Sequence, residues 1–515
     1  MTSKASISPR VRKVEVAILG AGFGGLCQAI KLREAGIDDF VVLEKGEDVG
    51  GTWYFNTYPG AACDVQSHLY SFSFATKPDW SHRYADWRQI HNYILDTTEK
   101  YDLRPFIQFR QEVCGAHFND ATGRWTISTR SGDTIDCRYF VIASGPLHVP
   151  AMPPIKGLEN FKGKVFHSSQ WDHSYNLHGK NVVSIGTGGS AIQYCPEIAP
   201  DVKQLYVFQR TPAWVIPRDT RRYLGIEKLA FAKFPLLRKL HRARMYWTNE
   251  SRVWPIIHPS LARVFQGIAE TFMKIQVKDP VIRARLTPNY TIGCKRVLIS
   301  NKWYPMFNRE NVELVTDGIQ EVREHSIVTR DGVERPADCI ILGTGFVVDP
   351  RVYMKDFPCT GLGGRRLIDD WKEMATSHYG VFTAGYPNMF QLVGPNTGLG
   401  HNSIIFMIES QAKMIVEAMK RVKQEGADYI DVKQSAQDAF NQKVQGGFEG
   451  TVWTTGCKGW YQSAEGGNFV LWPFSTWKFW LETRKLDAAE YNVVRCSAPS
   501  RGKAGKAGKK AMAEA

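Results

Sequence analysis

Residues 14–25 read VEVAILGAGFGG, a short apolar run that ends in a glycine-rich turn. Gly20 permits the turn, Gly22 lets the backbone approach a pyrophosphate, and Gly25 lets the following helix pack closely on the strand. The first N–H groups of that helix and its positive dipole end favour phosphate. The stretch therefore predicts the first half of a dinucleotide-binding β-α-β unit.

The chain continues as such a unit requires. A helical pattern extends to Leu32, Gly36 is placed to end the helix, and a second apolar run, 40–43, is followed by Glu44 and Lys45. An acid about twenty residues after the turn accepts hydrogen bonds from ribose hydroxyls, so we expect Glu44 to do so, with Lys45 beside it at the cofactor.

A second unit follows later in the chain. Residues 181–185 form a predicted strand, and the predicted strand 205–209 ends at Arg210 and Thr211 rather than at an acid. An acid would repel a 2′-phosphate, whereas an arginine pairs with it. The sequence therefore predicts FAD at the first unit and NADP at the second. The second turn consists of Gly186, Thr187, Gly188, Gly189, Ser190 and Ala191.

Two further segments echo each other, IDCRYFVIASG at 135–145 and PADCIILGTGF at 336–346, which indicates two copies of one plan. We predict an α/β chain with two Rossmann-like dinucleotide-binding domains and a helical insertion. The predicted divisions are 1–150 and 341–496 for the FAD-binding domain, 151–220 and 291–340 for the NADP-binding domain, 221–290 for the insertion and 497–515 for a disordered basic tail.

The insertion is basic and helix-like, and Pro235 interrupts any single long amphipathic helix. A helical cap over a substrate site and a helix lying on a membrane surface would both have this composition. We favour the cap and leave peripheral membrane association as the less favoured alternative.

Composition excludes several classes. The 515 residues carry a net charge of +14, but no nucleic-acid-binding motif is present and the basic tail accounts for part of the charge. Ten cysteines without a C-x-x-C pair argue against a disulfide framework, a zinc ribbon and a dithiol redox site, and no metal site is predicted. No apolar run is long enough to span a bilayer and the first residues lack a secretory pattern, so we expect a cytoplasmic protein.

An FAD site and an NADP site together predict a flavin that NADPH reduces. Disulfide reductases share this plan but need the absent cysteine pair. The segment FKGKVFHSSQWD, 161–172, resembles the fingerprint of type I Baeyer–Villiger monooxygenases, which are class B flavin-dependent monooxygenases. GGTWYFNTYPGAACD, 50–64, is similar to a second signature of that family, and the resemblance extends from about residue 14 to 480. The fingerprint positions are Phe161, Gly163, His167, Trp171 and Asp172.

The resemblance implies roles for individual residues. It places FAD contacts at Glu44, Thr52, Trp53, Asp64 and Tyr70, and contacts to the 2′-phosphate at Arg210, Thr211 and Lys295. Arg296 matches an arginine over the flavin that Asp64 orients through a bidentate pair, and these two are the predicted catalytic residues. His167 is expected to link domain motion to NADP occupancy rather than to act as a base. Trp460 matches a substrate-side position on a mobile loop.

The implied reaction uses NADPH and O2 to insert oxygen next to the carbonyl of a ketone, giving an ester or lactone through a C4a-peroxyflavin. A permanently charged arginine would keep that peroxide anionic. The aromatic C-terminal region predicts an apolar ketone. Oxidation of amine nitrogen or sulfide sulfur is the alternative, although relatives of that type carry Tyr at the position of Trp171. A membrane-associated flavoprotein is a third reading.

Overall fold

A computed structural model of the chain describes residues 11–457, 459–463 and 466–496. The predicted tail, 497–515, lies outside the described residues. The described part is an α/β structure built on two sheets with parallel cores, and five helices form the insertion. The predicted fold class is confirmed.

The first sheet has a parallel core, in which Val11–Leu19 lies between Phe40–Leu43 and Thr134–Ile142. Helices cover such a core on both faces, which explains why these strands read as almost continuous apolar runs. Met389–Gln391 pairs in parallel with the end of Thr134–Ile142, so the C-terminal part of the chain returns to this sheet. The eight strands among the described residues are Val11–Leu19, Phe40–Leu43, Ile107–Gln108, Val113–Asn119, Arg124–Thr129, Thr134–Ile142, Cys359–Thr360 and Met389–Gln391.

The second sheet is parallel throughout, and its edge strand comes from the fingerprint segment. Lys164–His167 pairs with Cys339–Leu342, so the middle of the segment 161–172 forms the edge strand of this sheet. A Cβ at Gly163 would lie 2.4 Å from the carbonyl oxygen of Asp338, which is why only glycine fits where the chain enters this strand. In spatial order the five strands of the described residues are Val312–Val315, Gln204–Phe208, Asn181–Ile185, Cys339–Leu342 and Lys164–His167.

Smaller sheets complete the β-structure. The remaining strands among the described residues are Val215–Ile216 with Leu298–Ile299, Ile319–Arg323 with Ser326–Thr329 and Glu334–Pro336, and Tyr429–Val432 with Tyr491–Val494. The pair Val215–Ile216 and Leu298–Ile299 joins the chain on either side of the insertion, so the insertion leaves and re-enters the fold at one place.

The insertion consists of the helices Gly225–Lys233, Pro235–Glu250, Val253–Ile257, Pro259–Gln276 and Pro280–Leu286. Pro235 is the first residue of the second of these, where its missing N–H costs nothing, and it divides the amphipathic run as expected. No helix among the described residues combines the length and apolar character needed to cross a membrane.

The other α-helices of the described residues are Phe23–Glu34, Thr52–Phe55, Trp87–Lys100, Ala191–Ile198, Trp303–Met306, Pro350–Tyr353, Leu367–Asp370, Ile404–Gln424, Gln434–Gly446 and Thr476–Glu482. The 3₁₀ helices are Arg104–Phe106, Leu158–Asn160, Ser168–Gln170, Met354–Asp356, Leu362–Gly364, Val452–Thr454 and Ala488–Glu490.

Candidate active site

The first glycine turn is closely packed. Gly20 has a φ of +99°, and a Cβ there would lie 2.7 Å from the carbonyl oxygen of Ala143. At Gly25 a Cβ would lie 1.8 Å from the carbonyl oxygen of Gly20, and at Gly22 it would lie 3.5 Å from the Cα of Gly51. Each glycine therefore keeps the backbone free of side chains where a phosphate would approach, so the turn fits a dinucleotide.

Glu44 is buried beside this turn. One carboxylate oxygen accepts from the backbone N–H of Ala21 at 2.8 Å, and the other accepts from that of Gly46 at 2.7 Å. A carboxylate has about four acceptor sites, so two remain for ribose hydroxyls. Lys45 is exposed, and its Nζ lies 5.3 Å from the centre of the Phe55 ring.

The residues of the second signature lie against the first turn. Thr52 begins a short helix, and the buried Trp53 donates from Nε1 to the hydroxyl of Tyr70 at 3.1 Å. The ring of Tyr70 packs edge-on against Phe23, which belongs to the glycine turn, with 5.3 Å between ring centres. The structure thus brings Trp53 and Tyr70 together as an aromatic wall next to the turn, and Thr52 precedes Trp53 in the short helix.

Arg296 pairs with Asp64, which lies 232 residues earlier in the chain. Its Nη2 and Nε both donate to Oδ2 of Asp64, at 2.5 and 3.2 Å. The contact is therefore not the two-oxygen fork that the resemblance implies, because a single oxygen receives both donors. The side chains are 39% and 32% exposed, so both remain partly accessible.

This pair holds both groups in their charged forms. Burial alone would raise the pKa of Asp64, but the adjacent guanidinium and its hydrogen bonds outweigh that and lower it. The negative charge of Asp64 raises the pKa of Arg296 further above its ordinary value. Arg296 is therefore a fixed cation at every accessible pH.

Tyr461 is a neighbour of Arg296 that the sequence did not single out. It is buried, and burial raises the pKa of its hydroxyl to about 12 against the opposing effect of Arg296. Trp460, the predicted substrate residue, packs on Tyr461 with 4.3 Å between ring centres but is 45% exposed. The structure thus places Tyr461 beside the Arg296–Asp64 pair, and the substrate role of Trp460 stays a prediction.

The second glycine turn is more open than the first. Gly186 has a φ of +113°, and a Cβ there would lie 2.3 Å from the carbonyl oxygen of Gly343. At Gly188 and Gly189 a Cβ would meet no atom within 4 Å, so the turn faces open space as a phosphate cradle requires. The turn leads through Ser190 and Ala191 into the helix Ala191–Ile198, and the Thr187 hydroxyl donates to the carbonyl of Thr211 at 3.3 Å.

Arg210, Thr211 and Lys295 line one cleft of about 880 Å³ near this turn. Arg263, from the insertion helix Pro259–Gln276, lines it too, and sequence reasoning missed it. No carboxylate is among the lining residues that the structure describes. Burial and Arg210 together lower the pKa of Lys295. Three cations without an acid fit the 2′-phosphate of NADP.

A disulfide joins Cys294, the residue before Lys295, to Cys457, which lines the same cleft. The sequence argued against a disulfide framework, and this bond corrects that expectation at one place. The two cysteines are 163 residues apart, so no local spacing could reveal them. The other eight cysteines are free.

His167 ends the strand Lys164–His167 of the second sheet. The chain crosses between the two sheets at 143–163 and again at 343–358. The Nε2 of His167 donates to the carbonyl of Gly345 at 2.9 Å, and its Nδ1 accepts from the Ser169 hydroxyl at 2.8 Å. The same Gly345 carbonyl accepts from the backbone N–H of Ala151, which belongs to the first crossing. Burial lowers the pKa of His167, so the ring is neutral and both nitrogens are occupied. It ties two crossings together and has no free nitrogen for a general base.

The other fingerprint residues support this joint. Phe161 is buried, and Trp171 packs between Phe166 and Tyr194 with ring centres 5.1 and 5.3 Å away. Asp172 pairs with Lys164 at 2.6 Å, and hydrogen bonds from Lys164 and Ser174 lower its pKa. These contacts lie within the second sheet and do not reach Arg296.

Comparisons with known proteins identify the family of the chain. Residues 13–258 match the family model "Flavin-binding monooxygenase-like". A Baeyer–Villiger monooxygenase of Pseudomonas aeruginosa is 43% identical over 94% of this chain and 92% of its own length. A closed crystal structure of cyclohexanone monooxygenase superposes with a TM-score of 0.86 at 26% identity, covering 94% of this chain and all of the other. The crystal structure of OTEMO in complex with FAD and NADP superposes with a TM-score of 0.85 at 26% identity, covering 93% of this chain and 99% of the other. The chain therefore belongs to the Baeyer–Villiger monooxygenases, a family of FAD-containing, NADPH-dependent enzymes, as its sequence predicted.

Proposed function

We propose that the chain uses NADPH and O2 to insert an oxygen atom next to the carbonyl of an apolar ketone, giving an ester or lactone. Bound FAD supplies a reduced flavin that activates O2, and NADPH supplies the hydride. Glu44, Trp53 and Tyr70 hold the flavin cofactor at the first turn, and Arg210, Lys295 and Arg263 hold the 2′-phosphate in the cleft.

The Arg296–Asp64 pair carries this proposal. Lys295 and Arg296 are adjacent in the chain, yet Lys295 lines the predicted NADP cleft while Arg296 pairs with Asp64 beside the FAD turn. Arg296 thus lies between the two cofactor sites. A cation fixed there stabilises negative charge as it develops on the oxygen that attacks the carbonyl, and it needs no reorganisation to do so.

Apolar side chains near Arg296 support an apolar substrate. A Cβ at Gly293, three residues before Arg296, would lie 3.3 Å from Val452 and 3.9 Å from Ile256. A Cβ at Gly400 would lie 3.8 Å from Trp453 and 3.9 Å from Ile256. Ile256, Val452 and Trp453 thus form an apolar wall that packs around Gly293 and Gly400, and apolar surroundings of this kind favour an apolar substrate.

His167 has a positioning role in this proposal. As a neutral ring bonded to Gly345 and Ser169, it couples the two chain crossings and so the two cofactor domains. We further propose a cytoplasmic location, which the eight free cysteines support.

Product analysis tests the function. Purified protein with FAD is given NADPH, O2 and a panel of cyclic, aryl and long-chain ketones, together with an alkyl aryl sulfide. We expect esters or lactones from at least one ketone class, in proportion to the NADPH consumed. Sulfoxide as the sole product, with every ketone unchanged, would instead establish a heteroatom monooxygenase.

A further inference from the structure

The helical insertion exposes an unusual amount of apolar surface. Among the described residues 24 large apolar side chains are exposed, and 15 of them lie between Leu224 and Val281. Single exposed apolar side chains are ordinary on protein surfaces, but a contiguous concentration marks an interaction site.

The helix Pro235–Glu250 has the reverse of the usual amphipathic arrangement. Leu236, Leu240 and Trp247 recur at helical spacing and are 69%, 59% and 58% exposed. Arg242 points inward instead, where its guanidinium donates to the carbonyl of His68 at 2.5 Å, and Arg238 donates to the carbonyl of Phe231 at 3.0 Å. The helix therefore turns its apolar face away from the protein.

The helix Pro259–Gln276 repeats this pattern. Its buried face carries small or flexible residues, whereas its outer face carries a stripe of large apolar ones. The buried residues are Ala262, Ala269 and Met273, and the exposed stripe is Leu261, Val264, Phe265, Ile268 and Ile275. We call the exposed residues of these two helices the outer stripes.

Tryptophans flank the first outer stripe. Trp477 and Trp480 are exposed on the helix Thr476–Glu482, which Tyr246 ties to the insertion through a 2.9 Å hydrogen bond to Thr476. Tryptophan is enriched where proteins meet the boundary between lipid and water.

The charge around the stripes identifies the partner. Residues 221–290 contain fourteen Lys and Arg against four Asp and Glu, so this segment carries +10 of the chain's +14. Two of the four acids do not offset the surface charge freely, because Glu227 pairs with Arg221 and Glu250 is buried. A second copy related by two-fold symmetry would bring these cations against themselves, whereas an anionic surface complements them.

The terminal segments outside the described residues are poor in large apolar side chains. Residues 1–10 and 497–515 contain only Met1, Ile7 and Met512 as large apolar residues. An apolar face on a strongly basic segment is the combination that binds anionic lipid.

We propose that the outer stripes dock the protein on an anionic lipid surface, with the two insertion helices lying in the plane of the interface. The proposal is independent of the reaction catalysed. The helix Val253–Ile257 links the two stripes and exposes Trp254, while its Ile256 forms part of the apolar wall near Arg296. Docking would therefore bring the lipid surface to the exposed face of this helix.

Vesicle co-sedimentation of the full-length holoenzyme tests this proposal. One variant combines Leu236→Ser, Leu240→Ser and Trp247→Ser, and a second combines Val264→Ser, Phe265→Ser and Ile268→Ser. Val333→Ser with Val352→Ser is the matched control, since both residues are exposed apolar side chains outside the insertion. Bound FAD and NADPH oxidation establish that each variant is folded.

We expect wild type and the control to bind vesicles that contain phosphatidylglycerol but not pure phosphatidylcholine, and to dissociate as salt rises. Each stripe variant should bind at least about tenfold more weakly, because three buried apolar side chains are lost. The tail is present in every protein, so equal binding by wild type and both stripe variants would assign binding to the tail and overturn the proposal. Failure of wild type to bind, or equal binding to both vesicle types, would overturn it as well. So would a dimer, in analytical ultracentrifugation, that the stripe variants dissociate.

Discussion

Replacing Asp64 by Asn separates the orientation of Arg296 from its charge. The substitution keeps the shape of the side chain and one carbonyl oxygen but removes the charge that receives both donors of Arg296. Arginine stays protonated without a carboxylate partner, so the cation persists and only its position is released.

The contact geometry sets the size of the effect. A hydrogen bond to a charged group contributes about 1.5–3 kcal/mol. Because the two side chains are 39% and 32% exposed, solvent screens the pair, and we take that range for both contacts together. If this free energy appears in the step that attacks the ketone, Asp64→Asn should slow ester formation about 10- to 150-fold.

The assay measures ester formed per NADPH consumed, alongside the anaerobic rate of flavin reduction by NADPH. Flavin reduction should remain within about twofold of wild type, whereas ester formation falls. Glu313→Gln is the matched control, because Arg335 also donates twice to one oxygen of Glu313, at 2.9 and 2.6 Å, on the edge strand Val312–Val315 of the second sheet. Ester formation by Asp64→Asn within about twofold of wild type would refute the orienting role.

Three further predictions follow from single residues. Arg263→Ala should raise KM for NADPH about tenfold and leave KM for NADH unchanged, since only NADPH carries the 2′-phosphate; an equal change for both would remove Arg263 from that site. His167→Gln should increase NADPH consumption without ester, because the bond to Gly345 is weakened, and unchanged activity and coupling would rule out the hinge role. Burial raises the pKa of Asp431 to about 7. Between about pH 4 and pH 7 the folded state therefore holds a proton that the unfolded state has lost, and the free energy of unfolding falls as the pH rises through this range. Asp431→Asn should therefore raise the thermal midpoint more at pH 8 than at pH 5, and an equal rise would contradict this.

The elements that the sequence predicted best depend on local patterns. The strands 40–43 and 181–185 begin and end in the structure at the predicted residues, because each is a short apolar run bounded by turn residues. Glycine roles at Gly20 and Gly25 are local too, since they follow from the turn itself. These patterns sufficed for the fold class and for the number of nucleotide sites.

What the sequence left out is formed by contacts between distant residues. Cys294 meets Cys457 across 163 positions, and Arg263 reads as one more surface cation in a basic helix. Tyr461 gives no local signal of its closeness to Arg296. The role of the insertion could not be decided from sequence for a different reason. A helical cap and a lipid-binding helix have the same composition, and only the burial of each side chain shows which face of the helix points inward.

Single-turnover oxidation of a ketone by Arg296→Ala tests the central claim most directly. Flavin is first reduced by NADPH without O2 and then mixed with O2 and a ketone that wild type converts; Arg130→Ala, which breaks an exposed pair with Glu112, is the control. Flavin reduction should proceed in both variants, and only Arg296→Ala should yield no measurable ester, because the fixed cation at the reacting oxygen is gone. Ester formation by Arg296→Ala at the rate of the control would contradict the account.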